Sequence, residues 1–346
     1  MEFQTAPAPH LPPRTTVTAV MLEVLVALVP GVLAYLWYFG PGLVLNLLIA
    51  ALTALATEAA MLKLRGRAPQ PALKDLSALV TAALLALAMP PLTPWWVTAI
   101  ATVFAVAIAK HLYGGLGYNL FNPAMAGYAV VLISFPAHMD GFVSARGVAT
   151  EQHQVSFAET VDFVFTGHLP EGMQIDAVSM ASPLDVMQGD LGRARMVSEI
   201  TASPGFGGLG GVGWEWVNAA FAAGGLWLLF RGIIRWQIPA TMLAGLGGMA
   251  LLCNLADGDH YATMSFHLFT GATMLGAFFI ATDPVSAATT ERGRLYYGAG
   301  VGVLTYIIRV WGKYPDGVAF AVLLMNMLVP VIDHYTRPRV YGHVER

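Results

Sequence analysis

The sequence contains few charged residues. Only 11% of its residues are charged, whereas about 25% is usual for a soluble domain, and 56% are hydrophobic. A water-soluble core cannot bury that much apolar side-chain surface, but lipid can solvate it when the apolar residues form runs of roughly 20. The scarcity of charge therefore excludes an ordinary soluble protein and predicts a protein embedded in a membrane.

Cysteine is nearly absent, and basic clusters are missing. The single cysteine, Cys253, excludes an internal disulfide and an iron–sulfur cluster held by this chain alone, since such clusters take several thiolates. The net charge is −3, and no run of Lys and Arg is interleaved with aromatic residues. We therefore expect no nucleic-acid partner and no metal site, and any redox chemistry must use another cofactor.

The apolar residues that are present form ten runs, which predict an all-α polytopic membrane protein of about ten transmembrane helices. The first five runs cover residues 20–39, 42–62, 77–89, 95–109 and 119–135, and the second five cover residues 214–230, 238–256, 265–281, 295–310 and 317–333. Three parts follow: an N-terminal half (1–136), a loop (137–213) and a C-terminal half (214–346). No small-residue cleavage site follows the first run, so we expect a retained span.

The basic residues predict the orientation. Ten spans put both termini on one side, and cytoplasmic termini leave five of the 18 basic residues outside and the other 13 in the cytoplasm. The five are Arg146, Arg193, Arg195, Arg309 and Lys313. Because loops rich in Lys and Arg stay in the cytoplasm, we expect cytoplasmic termini and an extracytoplasmic loop 137–213.

Two groups of five spans suggest two inverted five-helix repeats, because an odd-numbered half enters its second copy from the opposite face. The segment that begins at Pro123 aligns with the segment that begins at Pro315, and prolines also end the third and eighth runs, at Pro90 and Pro284. Interrupted helices in matching positions point to a site near the middle of the membrane, where a cavity satisfies the freed backbone groups.

Polar residues within the runs have two interpretations. Asn122 and Asp283 each stand beside a proline at a predicted helix break, so they are candidates for lining a cofactor or ion cavity, with helix capping as the alternative. Lys110, Arg309 and Asp333 lie near the ends of runs. We expect these three to be boundary residues that reach the interface or cap a helix.

The loop contains a predicted helix start. Ser182 is followed by Pro183 and, three positions on, by Asp185, an order typical of a capping hydroxyl, a proline in the first helical position and an acidic third residue. A helix N-terminus also favours a phosphate. The hydroxyl of Ser182 could therefore hold a phosphate ester.

The same segment belongs to a wider resemblance. It is similar to the flavinylation motif of the NqrB/RnfD family, the homologous membrane subunits of the Rnf and sodium-pumping NADH:quinone reductase complexes. The chain shares further motifs with that family over nearly its whole length. They are residues 114–124, 213–218, 267–276, 281–286, 314–320 and 333–343, the last most similar to RnfD.

The resemblance implies that Ser182 carries FMN through a phosphoester, in a site formed with its neighbours. Those neighbours are Asp176, Ser179, Ala181, Pro183 and Leu184. The motif differs from the family pattern in two places, since Met180 replaces glycine and Ser182 replaces threonine. Serine keeps the nucleophilic hydroxyl that a phosphoester requires.

The resemblance also implies a function. The chain would be a flavin-containing subunit of an Rnf-type complex in a bacterial inner membrane, which couples electron transfer between ferredoxin and NAD to Na⁺ or H⁺ translocation. It would act as an electron relay without catalytic residues of its own, and riboflavin would bind non-covalently near the cytoplasmic side. Partner subunits would supply the iron–sulfur clusters, the nucleotide site and a second flavin-bearing chain.

Three alternatives stay open at this point. The first is the homologous subunit of the quinone reductase, which a co-purifying partner with ferredoxin-type clusters would exclude. The second is a flavin-free channel or transporter with the same repeats, which a colourless purified protein would favour. The third is a scaffold whose loop takes no flavin.

Overall fold

The computed structural model describes residues 16–139, 141–148, 156–168, 179–314 and 316–337. Three sets of residues named above lie outside these ranges: Asp176 of the predicted site, Pro315 of the predicted repeat and the C-terminal part of the RnfD-like ending. The described residues are mostly helical.

The N-terminal half contains six helices in its described part. They are α1 (Val17–Phe39), α2 (Gly42–Leu64), α3 (Pro69–Leu73), α4 (Ser77–Ala88), α5 (Trp95–Val103), which continues as a π-helix (Phe104–His111), and α6 (Pro123–Ser134). Local signals set their ends. Thr16 caps α1 by accepting a hydrogen bond from the backbone N–H of Ala19 at 3.2 Å, and α4 ends just before Pro90, which cannot continue a helix.

The loop has secondary structure of its own, including two short strands, so the all-α expectation needs one correction. After a 3₁₀ turn (Pro136–His138) come β1 (Phe142–Val143), α7 (Phe157–Thr166), β2 (Ser179–Met180), α8 (Pro183–Leu191) and α9 (Val197–Thr201). β1 and β2 pair antiparallel, with Phe142 opposite Met180 and Val143 opposite Ser179. This pairing holds the segment that precedes Ser182.

The C-terminal half follows. Its elements are α10 (Trp214–Phe230), α11 (Gln237–Ala256), α12 (Met264–Phe269), α13 (Thr273–Leu275), which continues as a π-helix (Gly276–Ile280), α14 (Glu291–Trp311) and α15 (Val318–Thr336).

Among the residues that the structure describes, four helices are long and apolar enough to cross a membrane: α1, α2, α11 and α15. The other expected spans are shorter, interrupted or more polar. The third is the 12-residue α4, and the fifth begins only at Pro123. The eighth is broken between α12 and α13, and the ninth, α14, carries charges at both ends. Helices end inside the apolar runs at proline and at a left-handed glycine, as the expectation of interrupted helices required.

Both halves pack their helices in the same pattern. In the N-terminal half, α1 contacts α4, α2 contacts α5, and α5 contacts α6. The equivalent pairs in the C-terminal half are α10 with α13, α11 with α14, and α14 with α15. Between the halves, α1 packs on α10 and α6 packs on α15. Gly224 permits the first of these contacts, because a Cβ at this position would lie 2.0 Å from the carbonyl oxygen of Ala27.

The loop covers one end of the helices. The backbone N–H of Arg146 donates to the carbonyl of Tyr38, at the end of α1, at 2.9 Å, and the Phe165 ring stacks on Trp95, at the start of α5. Glu23 lies near the other end of α1, roughly 22 Å from Tyr38 at 1.5 Å per residue. There its carboxylate pairs with Arg231 at 2.5 Å. The loop and this ion pair therefore lie at opposite ends of the bundle.

We expect Gly224→Ala to destabilise the protein by about 1–3 kcal/mol, because the new methyl group would overlap the backbone of α1. Gly248→Ala in α11 is the matched control, since a Cβ there meets no heavy atom within 4 Å. It should stabilise the helix by up to about 1 kcal/mol. Unfolding of the purified chain in mixed dodecyl sulfate micelles measures both changes, and equal effects would contradict the close α1–α10 contact.

Candidate functional site

Ser182 starts helix α8, as its sequence context predicted. Its Oγ accepts a hydrogen bond from the backbone N–H of Asp185 at 3.2 Å. Asp185 Oδ2 accepts in return from the backbone N–H of Ser182 at 3.0 Å and from the Ser182 hydroxyl at 2.5 Å. This is a capping box, and it fixes the direction of the Ser182 side chain.

The Ser182 side chain lies on the wall of a cavity of about 340 Å³, called the outer cavity here. The volume falls within the roughly 300–1,000 Å³ of small-molecule sites. The walls come from both halves and from the loop, and they include Leu87, Met125, Tyr128, Ser182, Leu184, Trp214, Gly271, Ile280, Lys313 and Asp316. They are mainly apolar, with a few polar groups near Ser182.

A second cavity, the loop cavity, lies on the other side of Ser182. Its volume is about 280 Å³, and its walls include Phe142, Ala145, Met180, Ala181, Phe206 and Trp214. Ser182 and Pro183 line both cavities. Of the predicted site residues, Ala181 thus lines the loop cavity, Leu184 lines the outer cavity, and Ser179 pairs through its backbone in β2.

A broken helix forms part of the outer cavity wall. The chain leaves α12 at Thr270 and enters α13 at Thr273, with Gly271 at φ +65°, a conformation that favours glycine. Asn218 of α10 satisfies the freed groups. Its Nδ2 donates to the carbonyl of Gly271 at 2.9 Å, and its Oδ1 accepts from the backbone N–H of Met274 at 3.0 Å.

Arg309 also stabilises this break, and the expectation that it is a boundary residue is wrong. It is only 3% exposed. Its guanidinium donates to the carbonyl of His267 at 2.7 Å, to Thr273 Oγ1 at 2.9 Å and to Asp316 Oδ1 at 3.1 Å. Asp316 Oδ2 accepts from the backbone N–H of Ala272 at 2.7 Å. The interrupted helix exposes carbonyls that a planar, five-donor side chain can satisfy.

Asn122 and Asp283, the two polar residues singled out beside prolines, line one cavity together. This inner cavity has a volume of about 150 Å³ and is also lined by Ser77, Lys110, Asn119 and Thr282. Asn122 caps α6, and its Nδ2 donates to the carbonyl of Ile280 in the other half at 3.2 Å. Asp283 Oδ2 accepts from Ser286 Oγ at 2.6 Å. Both residues therefore stabilise chain ends through hydrogen bonds, and both also line the cavity.

Lys110 is a second residue that was wrongly expected at a boundary, since it is 2% exposed. Its Nζ donates to both carboxylate oxygens of Glu58, at 3.0 and 2.9 Å, and to Ser77 Oγ at 2.8 Å. A signal for this pair existed in the sequence, because Glu58 lies inside the second apolar run, Lys110 lies directly after the fourth, and each charge needs a partner. Asp333 does behave as a capping residue and accepts from the backbone N–H groups of Thr289 and Thr290.

The outer and inner cavities are lined by adjacent residues and therefore lie close together. Ala124 lines the inner cavity and the next residue, Met125, lines the outer one. Phe279 and Ile280 divide in the same way. Because consecutive Cα atoms are only about 3.8 Å apart, roughly one layer of side chains lies between the cavities.

No metal centre is found among the residues that the structure describes, where no group of three or more His, Cys, Asp or Glu side chains could hold an ion.

Comparison with known proteins identifies the family. Proteins of Aliivibrio salmonicida, Klebsiella pneumoniae and Vibrio cholerae, each named as a subunit of an ion-translocating oxidoreductase complex, are 50% identical to this chain. The alignments cover 99% of this chain and 99%, 100% and 100% of those proteins. The profile of the NQR2, RnfD, RnfE family matches residues 4–342. The chain therefore belongs to the NQR2, RnfD, RnfE family.

Proposed function

We propose that this chain is the flavin-carrying membrane subunit of an Rnf-type complex, which couples electron transfer between ferredoxin and NAD to the movement of Na⁺ or H⁺. The name shared by its full-length relatives supports the role as a complex subunit. The observation that carries the flavin assignment is the position of Ser182, whose side chain lies on the wall of a cavity of suitable volume.

FMN is attached to Ser182 through a phosphoester. The residues around Ser182 fit this group, since the outer cavity offers apolar and aromatic walls, among them Tyr128 and Trp214, to a planar ring. Bound FMN supplies one- and two-electron redox chemistry. The chain's own residues anchor the phosphate, exclude water from the ring and hold it at the broken helix, where Asn218 and Arg309 fix the backbone.

Riboflavin is assigned to the inner cavity, with Asn122 and Asp283 at its polar edge. The cavity of about 150 Å³ is smaller than the roughly 300 Å³ usual for a whole ligand, so these side chains hold only the hydrogen-bonding edge of the ring. The thin layer between the cavities supports an electron relay across the membrane, since ring-bearing sites on its two sides are close together.

The topology is ten membrane crossings in two inverted five-helix repeats, with cytoplasmic termini and loop 137–213 on the outer face of a bacterial inner membrane. Equivalent packing within the halves supports the repeats, as do the α1–α10 and α6–α15 contacts, because a two-fold axis brings equivalent elements together. The loop lies opposite the Glu23–Arg231 pair, at the end of the bundle that carries fewer basic residues.

The partners are the remaining subunits of the complex. With one cysteine, the chain cannot ligate an iron–sulfur cluster by itself. The clusters, the nucleotide site and a second flavin are therefore assigned to other chains, and this subunit relays electrons between them.

Ser182→Ala should abolish covalent flavin, because the acceptor oxygen is lost. Intact-mass measurement of the purified chain and flavin fluorescence on a denaturing gel both report attachment. Ser198→Ala, at an exposed position of α9, is the control and should keep the adduct, as should Ser182→Thr, which retains a hydroxyl. An adduct on Ser182→Ala, or no adduct on the unsubstituted chain, would overturn the assignment.

Cysteine labelling tests the topology. In a Cys253→Ser background, a membrane-impermeant maleimide should label Ser198→Cys in spheroplasts, because α9 belongs to the outer loop. Arg67→Cys, between α2 and α3, should react only after the membrane is opened. The reverse pattern would place the loop in the cytoplasm and exclude an outer flavin.

Asp283→Asn should lower the content of non-covalent riboflavin roughly tenfold. A tenfold change corresponds to about 1.4 kcal/mol, which is the loss expected when a charge-assisted hydrogen bond is weakened. Asparagine still accepts from Ser286, so the turn is kept. Flavin extracted with acid is measured by chromatography, with Asp257→Asn in the exposed α11–α12 connection as control. Unchanged riboflavin in Asp283→Asn would remove the inner cavity assignment, whereas covalent flavin at Ser182 should not change.

A further inference from the structure

We infer that Asp185 is the general base for flavin attachment, taking the proton of the Ser182 hydroxyl as the phosphoester forms. This inference rests on the proposed attachment of flavin at Ser182 and names the group that activates that oxygen. It assigns a chemical step to this chain, which would otherwise be only the acceptor of the modification.

The geometry places a base on the reacting oxygen. The Ser182 hydroxyl donates to Asp185 Oδ2 at 2.5 Å, within the reach expected of a proton acceptor. The backbone N–H of Asp185 donates to the same Oγ at 3.2 Å. As the proton leaves, this N–H group at the start of α8 stabilises the negative charge that develops on the oxygen.

The contacts distinguish Asp185 from the other carboxylate that lines the outer cavity, Asp316. Asp316 accepts from Arg309 at 3.1 Å and from the backbone N–H of Ala272 at 2.7 Å, at the broken helix, whereas Asp185 accepts from the Ser182 hydroxyl itself. The described residues that line the loop cavity include no carboxylate. Asp185 is thus the carboxylate that contacts the acceptor oxygen, and it does so on the wall that both cavities share.

The chemistry balances with an activated donor. An alcohol forms a phosphoester readily only from an activated phosphate, so the donor is a flavin whose phosphate is joined to a nucleotide by a phosphoanhydride. Ser182 Oγ attacks the flavin phosphorus and forms an O–P bond, while the anhydride P–O bond breaks and a nucleoside monophosphate leaves. The hydroxyl proton passes to Asp185 and then to water. No electron is transferred.

Asp185→Asn tests the base. The amide oxygen can still accept from the Ser182 hydroxyl and backbone N–H, so the helix cap is kept and only basicity is lost. The full-length chain, made without flavin transferase and purified in detergent, is incubated with transferase and flavin adenine dinucleotide. Initial rates of flavin incorporation are measured against chain concentration. Asp190→Asn, on the same helix and paired with Arg195 at 2.6 Å, is the matched control.

We expect Asp185→Asn to lower kcat by roughly 100-fold with the KM for the chain unchanged, as loss of a general base does. Prolonged incubation should bring both to equal flavin content, which shows a folded acceptor. Asp190→Asn should behave as the unsubstituted chain.

An unchanged kcat in Asp185→Asn would overturn the inference, and so would a raised KM at constant kcat, which indicates recognition by the transferase. Absence of flavin from the unsubstituted chain would overturn the proposed function and the base together.

Discussion

Helices that break inside an apolar surrounding must find partners for the backbone groups that they free, because lipid offers none. Each break described above has a dedicated side chain. Asn46 donates to the carbonyl of Pro90 at 2.8 Å after α4, Asn122 donates to the carbonyl of Ile280 after the π-helix, and Asn218 and Arg309 serve the break at Gly271. These polar contacts fix the freed chain ends beside the outer and inner cavities.

The two halves use a buried cation in different ways. Lys110 lies at the end of the α5 segment and Arg309 near the end of α14, and each is almost fully buried. A buried charge needs a partner, and Glu58 and Asp316 supply one in each half. Lys110 contacts only side chains, whereas the fork of Arg309 also reaches backbone carbonyls. The Arg309 network therefore ties a charge pair to the cavity beside Ser182, and the Lys110 network ties one to the inner cavity.

Signals between residues that are close in sequence predicted the structure correctly, whereas contacts between residues that are distant in sequence were not predicted. Ser182, Pro183 and Asp185 predicted a helix start that the structure contains, because capping depends only on residues three positions apart. Proline also marked the end of α4. Lys110 and Arg309 were misjudged because hydropathy gives only the position of a residue along an apolar run. It does not show the partners that other helices supply to these two side chains. The walls of the outer cavity could not be predicted for the same reason, since they combine residues of the loop and of both halves.

The hydrogen bonds that join α8 to the end of α14 have a consequence for how the chain is assembled during its synthesis. Gln188 Nε2 donates to the carbonyls of Arg309 and Gly312, at 3.0 and 2.9 Å, across sequence separations of 121 and 124 residues. Ser182 is therefore synthesised long before the end of α14, on which its own helix, α8, docks. Until α14 and the residues after it are made, α8 lacks this anchorage and the outer cavity lacks the wall formed by Lys313, Asp316 and Val318. The segment around Ser182 is therefore more accessible during that interval, and synthesis of the C-terminal residues completes the cavity beside it.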